Sequence, residues 1–106
     1  MMQKKYKVKI EAKAQNELKE IYLYIAKSHP TNARKFIALL KEKMRSLSSF
    51  PERGVKRPDL SDSPSQDRRF ISFRNYSIIY QINESEIKIL QIVGPGQDWF
   101  PYPTLH

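Results

Sequence analysis

The stretch that decides the fold is residues 68–93, which read RRFISFRNYSIIYQINESEIKILQIV. β-Branched and aromatic residues fill three runs in it and predict strands over 68–73, 76–82 and 86–93. Arg74-Asn75 fits a tight turn after the first run, and residues 83–85 fit a slightly longer turn after the second. The runs therefore predict an antiparallel meander whose middle strand places on one face Tyr76, Ile78, Tyr80 and Ile82.

Two helices are predicted upstream of these strands. Residues 12–27 repeat apolar side chains at spacings of three and four, and a second periodic segment follows the break at residues 28–31. In that break, His29 precedes a proline and Thr31 can cap the next helix. Because the break is short, the helices should form an antiparallel hairpin. Their apolar positions are Ala14, Leu18, Ile21 and Ile25, then Ala33, Phe36, Ile37, Leu40, Met44 and Leu47.

The remaining segments complete one predicted domain, residues 1–106. Residues 5–10 alternate lysines with apolar side chains, which indicates a half-buried strand at a sheet edge. Residues 51–67 have no period and predict a long loop, and residues 94–106 predict an irregular aromatic tail. The order strand, helix, helix, three strands (β-α-α-β-β-β) predicts an α+β fold, with the helical hairpin packed on one face of an antiparallel sheet.

Composition restricts the class of function. The chain has no cysteine, which excludes disulfides, thiolate metal sites and a cysteine nucleophile, and which fits a reducing cytoplasm. No apolar run is long enough to cross a bilayer, so we expect neither a signal peptide nor a membrane contact. No spacing typical of a metal or cofactor site occurs, and we expect no metal and no cofactor.

The formal net charge is +8, and most of it lies in the middle of the chain. Residues 27–57 hold nine Lys or Arg against two acids. Such a block suits RNA, DNA or an acidic protein, because Lys and Arg neutralise phosphates and steer association. A solvated basic helix face without a specific partner is the alternative interpretation.

Residues along nearly the whole chain resemble the RelE/ParE superfamily of type II toxins. The first helix, from Ala14 to Ala26, is similar to a helix of that family. Its end, Tyr24-Ile25-Ala26, and the loop from Pro51 to Pro58 resemble the ParE branch more closely. The other matching positions are Pro30, Ala33, Phe36, Leu47, Gly54, Arg57, Arg69, Tyr76, Ile78, Tyr80, Ile89, Ile92, Gln97 and Asp98.

This resemblance implies a toxin that causes growth arrest and is neutralised by the acidic C-terminal segment of a cognate antitoxin. ParE relatives inhibit DNA gyrase, whereas RelE relatives cut messenger RNA in the ribosome. A degenerate module that only binds its antitoxin is a third alternative, and operator DNA would be reached only through the antitoxin. The resemblance also implies that the antitoxin covers the helices, for which the candidate contacts are Tyr22, Ile25, Phe36, Leu40 and Met44.

The residues that RNA cleavage would need are incomplete. A metal-free ribonuclease must activate a 2′-hydroxyl, stabilise the phosphate and protonate the leaving oxygen. The candidates for these roles are Arg57, Arg69 and Tyr80, with Glu52 as the alternative acid or base. The histidine that the family often has near the end of the last strand corresponds by alignment to Gly94. The missing imidazole favours inhibition of gyrase by binding over RNA cleavage.

A second set of residues is predicted to contact the target. Cations of the loop and strands suit phosphate, although solvated surface charges are the alternative for each of them. The aromatic rings of the tail either cover the edge of the core or form a patch for a partner. The candidates for contact with the target or with nucleic acid are Arg53, Lys56, Arg57, Arg68, Arg69, Arg74, Trp99 and Phe100.

Overall fold

The computed structural model describes residues 5–63 and 65–95, which contain a five-stranded sheet and two α-helices. Two 3-10 turns, Pro51–Arg53 and Pro58–Leu60, flank the second strand. The elements are β1 Lys7–Ile10, α1 Ala12–Ala26, α2 Pro30–Ser46, β2 Val55–Lys56, β3 Asp67–Phe73, β4 Tyr76–Ile82 and β5 Glu86–Val93. The strand order across the sheet is β1-β5-β4-β3-β2. The predicted α+β class, with a helical hairpin before the last strands, is confirmed.

The predicted meander of β3, β4 and β5 is confirmed. β4 and β5 have the predicted bounds, and β3 begins one residue earlier, at Asp67. In the tight turn between β3 and β4, Arg74 has a φ of 56°. This left-handed conformation costs a residue other than glycine about 1–2 kcal/mol. The Arg74 guanidinium lies 5.4 Å from the ring centre of Phe73 and 5.7 Å from that of Phe36, and these contacts offset part of the cost.

Two features of the sheet differ from the expectation. β1 pairs with β5 in parallel, with Val8 opposite Ile87, so the sheet is mixed and not wholly antiparallel. A parallel pair needs a long connection, which the intervening helices and strands provide. The loop predicted over 51–67 contains the 3-10 turns and β2, whose Val55 pairs with Phe70. A strand of two residues is too short to show a period in the sequence.

The start of α2 also differs from the expectation. Pro30 is its first residue and His29 its N-cap, without a side-chain hydrogen bond, so Thr31 lies inside the first turn and is not the cap. Proline suits this position because its φ is preset for a helix and its missing N–H would have no helical partner.

The helices cover one face of the sheet. Ile78 and Tyr80 of β4 are completely buried on this face, and Tyr76 and Ile82 pack at the margin of the same cluster. The shared face predicted for β4 is therefore confirmed. The other members of this core are Ala14, Leu18, Leu40, Met44, Leu47, Ile71, Ile87, Ile89 and Ile92.

The sheet face opposite the helices, here called the helix-free face, is covered only in part. Leu60, from the second 3-10 turn, packs there with Ile79 and Val93, and the half-buried Phe70 and Leu90 adjoin them. β5 has a bulge at this point, because Tyr80 pairs with Ile89 whereas Ile79 pairs with Gln91. Among residues 5–63 and 65–95, the small cluster covers the end of the face near β3 and leaves the end near β1 open.

The open end of the helix-free face carries lysines. Lys7 and Lys9 are the exposed residues of β1, and Lys9 lies in register beside Lys88 of β5. Lys7 lies instead beside Glu86. Neighbouring strands are about 4.8 Å apart, and like charges at such positions destabilise a sheet. Lys9 and Lys88 are therefore an unfavourable pair, whereas Lys7 and Glu86 are a favourable one.

Changing Lys9→Glu should raise the free energy of unfolding by about 0.2–1 kcal/mol, because an opposite charge would then adjoin Lys88. Urea denaturation at low salt measures this change. Lys7→Glu is the matched control on the same strand and face, and it should lower the free energy of unfolding because two acids become neighbours. Both differences should shrink in high salt. Equal effects of the two substitutions would contradict the register.

Candidate functional site

The phenol of Tyr80 connects β4 to the segment before β2. Its hydroxyl donates a hydrogen bond to the carbonyl oxygen of Pro51 at 2.6 Å and accepts one from the N–H of Gly54 at 3.0 Å. The side chain is completely buried, and this burial raises the pKa of the Tyr80 hydroxyl. A buried hydroxyl that already has both partners is poorly placed to exchange a proton with a substrate. Tyr80 therefore holds residues 51–54 against the sheet.

Gly54 allows this close approach. A β-carbon at Gly54 would overlap the Tyr80 hydroxyl and would lie 2.7 Å from the carbonyl oxygen of Phe70. Its φ of −77° is accessible to any residue, so glycine is needed here for space and not for an unusual backbone conformation.

Arg69, a residue of β3, also bonds the backbone of residues 51–54. Its Nε donates to Asp67 at 3.0 Å, and its Nη1 donates to the carbonyl oxygens of Glu52 at 3.0 Å and Gly54 at 3.2 Å. Its side chain is 15% exposed, so most of the guanidinium is removed from solvent. Arg69 and Tyr80 are neighbours in the sheet register and together form what we call the Tyr80–Arg69 clamp.

Arg68 and Arg57 also have partners within the fold. Arg68 donates to the Gln81 side chain at 2.8 Å and to the carbonyl oxygen of Leu60 at 2.7 Å, so it fastens the second 3-10 turn to the sheet. Arg57 donates to both carboxylate oxygens of Asp59, at 2.8 and 2.5 Å. The hydrogen bonds from Arg57 lower the pKa of Asp59. These predicted cations therefore already neutralise or bond groups of the chain itself.

The other predicted cations lie at the surface. Arg53 bonds the hydroxyl of Ser46 at the end of α2, and Arg74 lies over the rings of Phe36 and Phe73. Lys56 is exposed and forms no ion pair within residues 5–63 and 65–95. Lys56 is in register beside Arg69, which places a free ammonium group next to the clamp.

An acidic groove surrounds Gly94, the position at which the resembling family often has a histidine. Glu17 and Glu20 of α1 line it together with Tyr24 and Tyr76. Glu17 accepts a hydrogen bond from the N–H of Ile92 at 2.7 Å, beyond the point where β1 stops pairing with β5. Burial raises the pKa of the Glu17 carboxyl. Negative charge in this groove disfavours an RNA phosphate.

The groove and the Tyr80–Arg69 clamp are separate places. Val93, just before Gly94, pairs with Ser77, which lies three residues along β4 from Tyr80. At the rise of a β-strand this distance is about 10 Å. The position of the missing histidine and the hydroxyl of Tyr80 therefore do not converge on one phosphate.

The residues predicted to contact an antitoxin fall into two groups. Ile25 and Phe36 line a groove between the helix ends, here called the hairpin groove, whose other lining residues are Asn32, Lys35, Leu39 and Arg74. Tyr22 lines a second groove, with Ile10, Gln15, Leu18, Lys19, Ile37 and Lys41. Leu40 and Met44 are completely buried in the core and offer no surface to a partner.

Some predicted features lie outside the described residues. Trp99 and Phe100, predicted to contact the target, and Gln97-Asp98, which carry part of the resemblance, are among them. Within residues 5–63 and 65–95, no three His, Asp or Glu side chains group as metal ligands. The same part of the chain contains no helix long and apolar enough to cross a membrane.

Sequence reasoning missed two features of this region. Glu17 occupies the apolar face of α1, three residues after Ala14 and four before Ile21. An acid on an apolar face is a signal that could have drawn attention to it. The second feature is the pair of hydrogen bonds that join Tyr80 to Gly54 and Pro51, which lie 26 and 29 positions earlier. The pattern of neighbouring residues in the sequence does not predict contacts over such separations.

Comparisons with known proteins agree with this architecture. A family model described as the ParE toxin of the type II toxin-antitoxin system parDE matches residues 8–99. A chain of the chromosomal ParDE TA system from P. aeruginosa is 25% identical, with a TM-score of 0.70 over 85% of this chain and 96% of that chain. The archaeal RelE-RelB complex from Pyrococcus horikoshii OT3 shares the fold at 22% identity, with a TM-score of 0.55 over 89% of this chain and 99% of that chain. No curated protein matches the sequence.

Gly54→Ala should lower the free energy of unfolding by at least about 1–3 kcal/mol, because the new methyl group overlaps the Tyr80 hydroxyl and the Phe70 carbonyl. Urea denaturation measures the loss. Val55→Ala, at an exposed neighbouring position, is the control and should change stability by less than about 0.5 kcal/mol. Tyr80→Phe should lower the free energy of unfolding less in the Gly54→Ala variant than in the original chain. If the effects of the two substitutions are strictly additive, residues 54 and 80 are not in contact.

Glu17→Gln should change how stability depends on pH. The raised pKa means that folded Glu17 binds its proton more tightly than the unfolded chain does. Its stabilising contribution is therefore complete below the unfolded pKa of about 4.3 and is lost as pH rises through the folded pKa. Glutamine keeps an acceptor for the Ile92 N–H without ionising.

The difference in unfolding free energy, Glu17→Gln minus the original chain, should therefore increase as pH is raised from 4 to 7. Urea denaturation at several pH values measures it. Glu42→Gln, at an exposed position of α2, is the control and should give a flatter difference. If this difference for Glu17→Gln falls as pH rises, the pKa of folded Glu17 is not raised.

Proposed function

This chain belongs to the ParE toxin family of type II toxin–antitoxin systems, and from that premise we propose that it inhibits DNA gyrase by binding, without catalysing a reaction. The family model spans residues 8–99 and therefore most of the chain. We propose further that a cognate antitoxin neutralises it. Growth arrest should follow when the toxin is produced without that antitoxin.

The observation that carries the proposal is the engagement of Arg57, Arg69 and Tyr80, the three residues named first for RNA cleavage. Tyr80 is completely buried with both hydrogen bonds formed, Arg69 bonds Asp67 and two carbonyl oxygens, and Arg57 is paired with Asp59. Using them in catalysis would require breaking contacts that position the segment around β2. Gly94, in its acidic groove, supplies no general acid or base. These features support a toxin that acts through its surface.

The helix side of the molecule suits an antitoxin segment. Phe36 lines the hairpin groove, and its ring centre lies 5.5 Å from those of both Phe73 and Tyr76. Lys35 and Arg74 border the groove, and Leu39 at its edge is 42% exposed. An amphipathic segment with an apolar anchor and adjacent acids fits this combination. Ile25 and Phe36 therefore stay in the proposed antitoxin site, whereas Leu40 and Met44 can support it only from beneath.

Lys56 is the described residue best suited to contact gyrase. It is exposed, and the described part of the chain uses it in no ion pair. Val55 beside it is an exposed apolar side chain, at 56% exposure. A cation next to an exposed apolar group is typical of a protein interface, in which desolvated contacts supply affinity and charges guide association. Arg53, Trp99 and Phe100 are proposed as further contacts.

A supercoiling assay with purified gyrase and purified toxin tests the function. We expect inhibition that increases with toxin concentration, while messenger RNA in a parallel translation reaction stays intact. Cut messenger RNA with normal gyrase activity would establish the ribosome-dependent nuclease instead. If neither occurs, although an antitoxin binds tightly, the chain is a degenerate binding module.

Lys56→Gln should weaken gyrase inhibition about tenfold, which corresponds to about 1.4 kcal/mol, because the proposed contact loses its charge. The toxin concentration for half-inhibition measures the effect. The melting temperature should not change, since Lys56 has no ion pair in the described residues. Lys19→Gln, exposed on α1, is the matched control and should leave inhibition unchanged. Equal losses for the two variants would exclude this contact.

A further inference from the structure

A row of basic and amide side chains crosses four strands on the helix-free face. Lys9 of β1 is in register beside Lys88 of β5, and Lys88 beside Gln81 of β4. Gln81 in turn is beside Arg68 of β3. At about 4.8 Å per strand the row is about 14 Å long. Lys7 lies two residues along β1 from Lys9, on the same face.

Lys9 and Lys88 have no anionic partner among the described residues. Lys7, Lys9 and Lys88 form no ion pair within residues 5–63 and 65–95. Glu86 lies beside Lys7 and is the acid nearest to them in the sheet register, so the three lysines and Glu86 still carry a net positive charge. The juxtaposition of Lys9 and Lys88 opposes folding. A local conflict of this kind with no compensation nearby is a mark of a functional surface.

The chemistry of the row favours nucleic acid over an acidic protein. Protein interfaces have an apolar centre, and this row offers none, because its members are lysines, an arginine and a glutamine. Its members include no aromatic ring on which unpaired bases could stack, as single-strand binding usually requires. Neighbouring lysines on a rigid sheet suit the repeated phosphates of a double helix.

We propose that the lysines of this row, Lys7, Lys9 and Lys88, bind the phosphodiester backbone of duplex nucleic acid, whereas Arg68 stays bonded to Gln81 and Leu60. This site lies beyond the proposed inhibition of gyrase and does not depend on it. The helices and the hairpin groove occupy the opposite face, so an antitoxin in that groove leaves the row open. The chain then contacts DNA directly, and not solely through its antitoxin.

Fluorescence anisotropy with the purified full chain tests the proposal. Labelled DNA and RNA duplexes of random sequence are titrated at salt concentrations between about 50 and 200 mM. Lys9→Gln/Lys88→Gln should weaken binding to duplex DNA and reduce the slope of log affinity against log salt by about 1.8, or about 0.9 for each phosphate that the protein no longer neutralises. The two duplexes distinguish DNA from RNA as the source of the phosphates.

Lys35→Gln/Lys41→Gln is the matched control. It removes two exposed lysines from α2, on the opposite side of the sheet, and should leave the slope unchanged. The Lys9→Gln/Lys88→Gln variant should melt at an equal or higher temperature, because it removes a repulsion, so weaker binding would not reflect unfolding.

Three results would overturn the proposal. The first is absence of duplex binding by the original chain, and the second is an equal reduction of slope in the Lys35→Gln/Lys41→Gln variant. The third is tighter, Lys9- and Lys88-dependent binding of a polyglutamate peptide, which would make the row a protein-binding surface.

Discussion

The hydroxyl of Tyr80, enclosed between the sheet and the segment that precedes β2, organises much of the structure around it. It donates to the Pro51 carbonyl and accepts from the Gly54 N–H. Leaving such a group buried without partners would cost about 1–3 kcal/mol, so the hydroxyl and residues 51–54 constrain one another. Arg69 adds bonds from β3 to the same backbone. The position of β2, and of Lys56 on it, follows from this arrangement.

These hydrogen bonds also bear on function, because they engage Tyr80 and Arg69, which were predicted to act in RNA cleavage. A guanidinium that already bonds a carboxylate and two carbonyl oxygens, as Arg69 does, has little capacity left for a substrate phosphate. The helix side offers grooves lined by the exposed Tyr24 and Leu39, and the helix-free face offers lysines.

Several elements were predictable because their signals are local. Runs of β-branched and aromatic residues between turns defined β4 and β5 to the residue, and spacings of three and four defined α1 and α2 closely. β2 was missed because two residues show no period. Of the site, exposed cations such as Lys56 could be identified from charge alone. The sequence could not show whether Leu40 and Met44 are core residues or binding residues, because an apolar stripe on a helix has the same residue pattern in both cases.

The sequence by itself determined the strands, the helices, the α+β class and the resemblance to the ParE branch, because these depend on periods and residue types along the chain. Only the tertiary structure decided the parallel pairing of β1 with β5, the engagement of Tyr80 with Gly54, and the approach of Lys9 to Lys88. The physical reason is that these contacts join residues 26 to 79 positions apart. No short-range pattern carries such information, and it arises only when the sheet assembles.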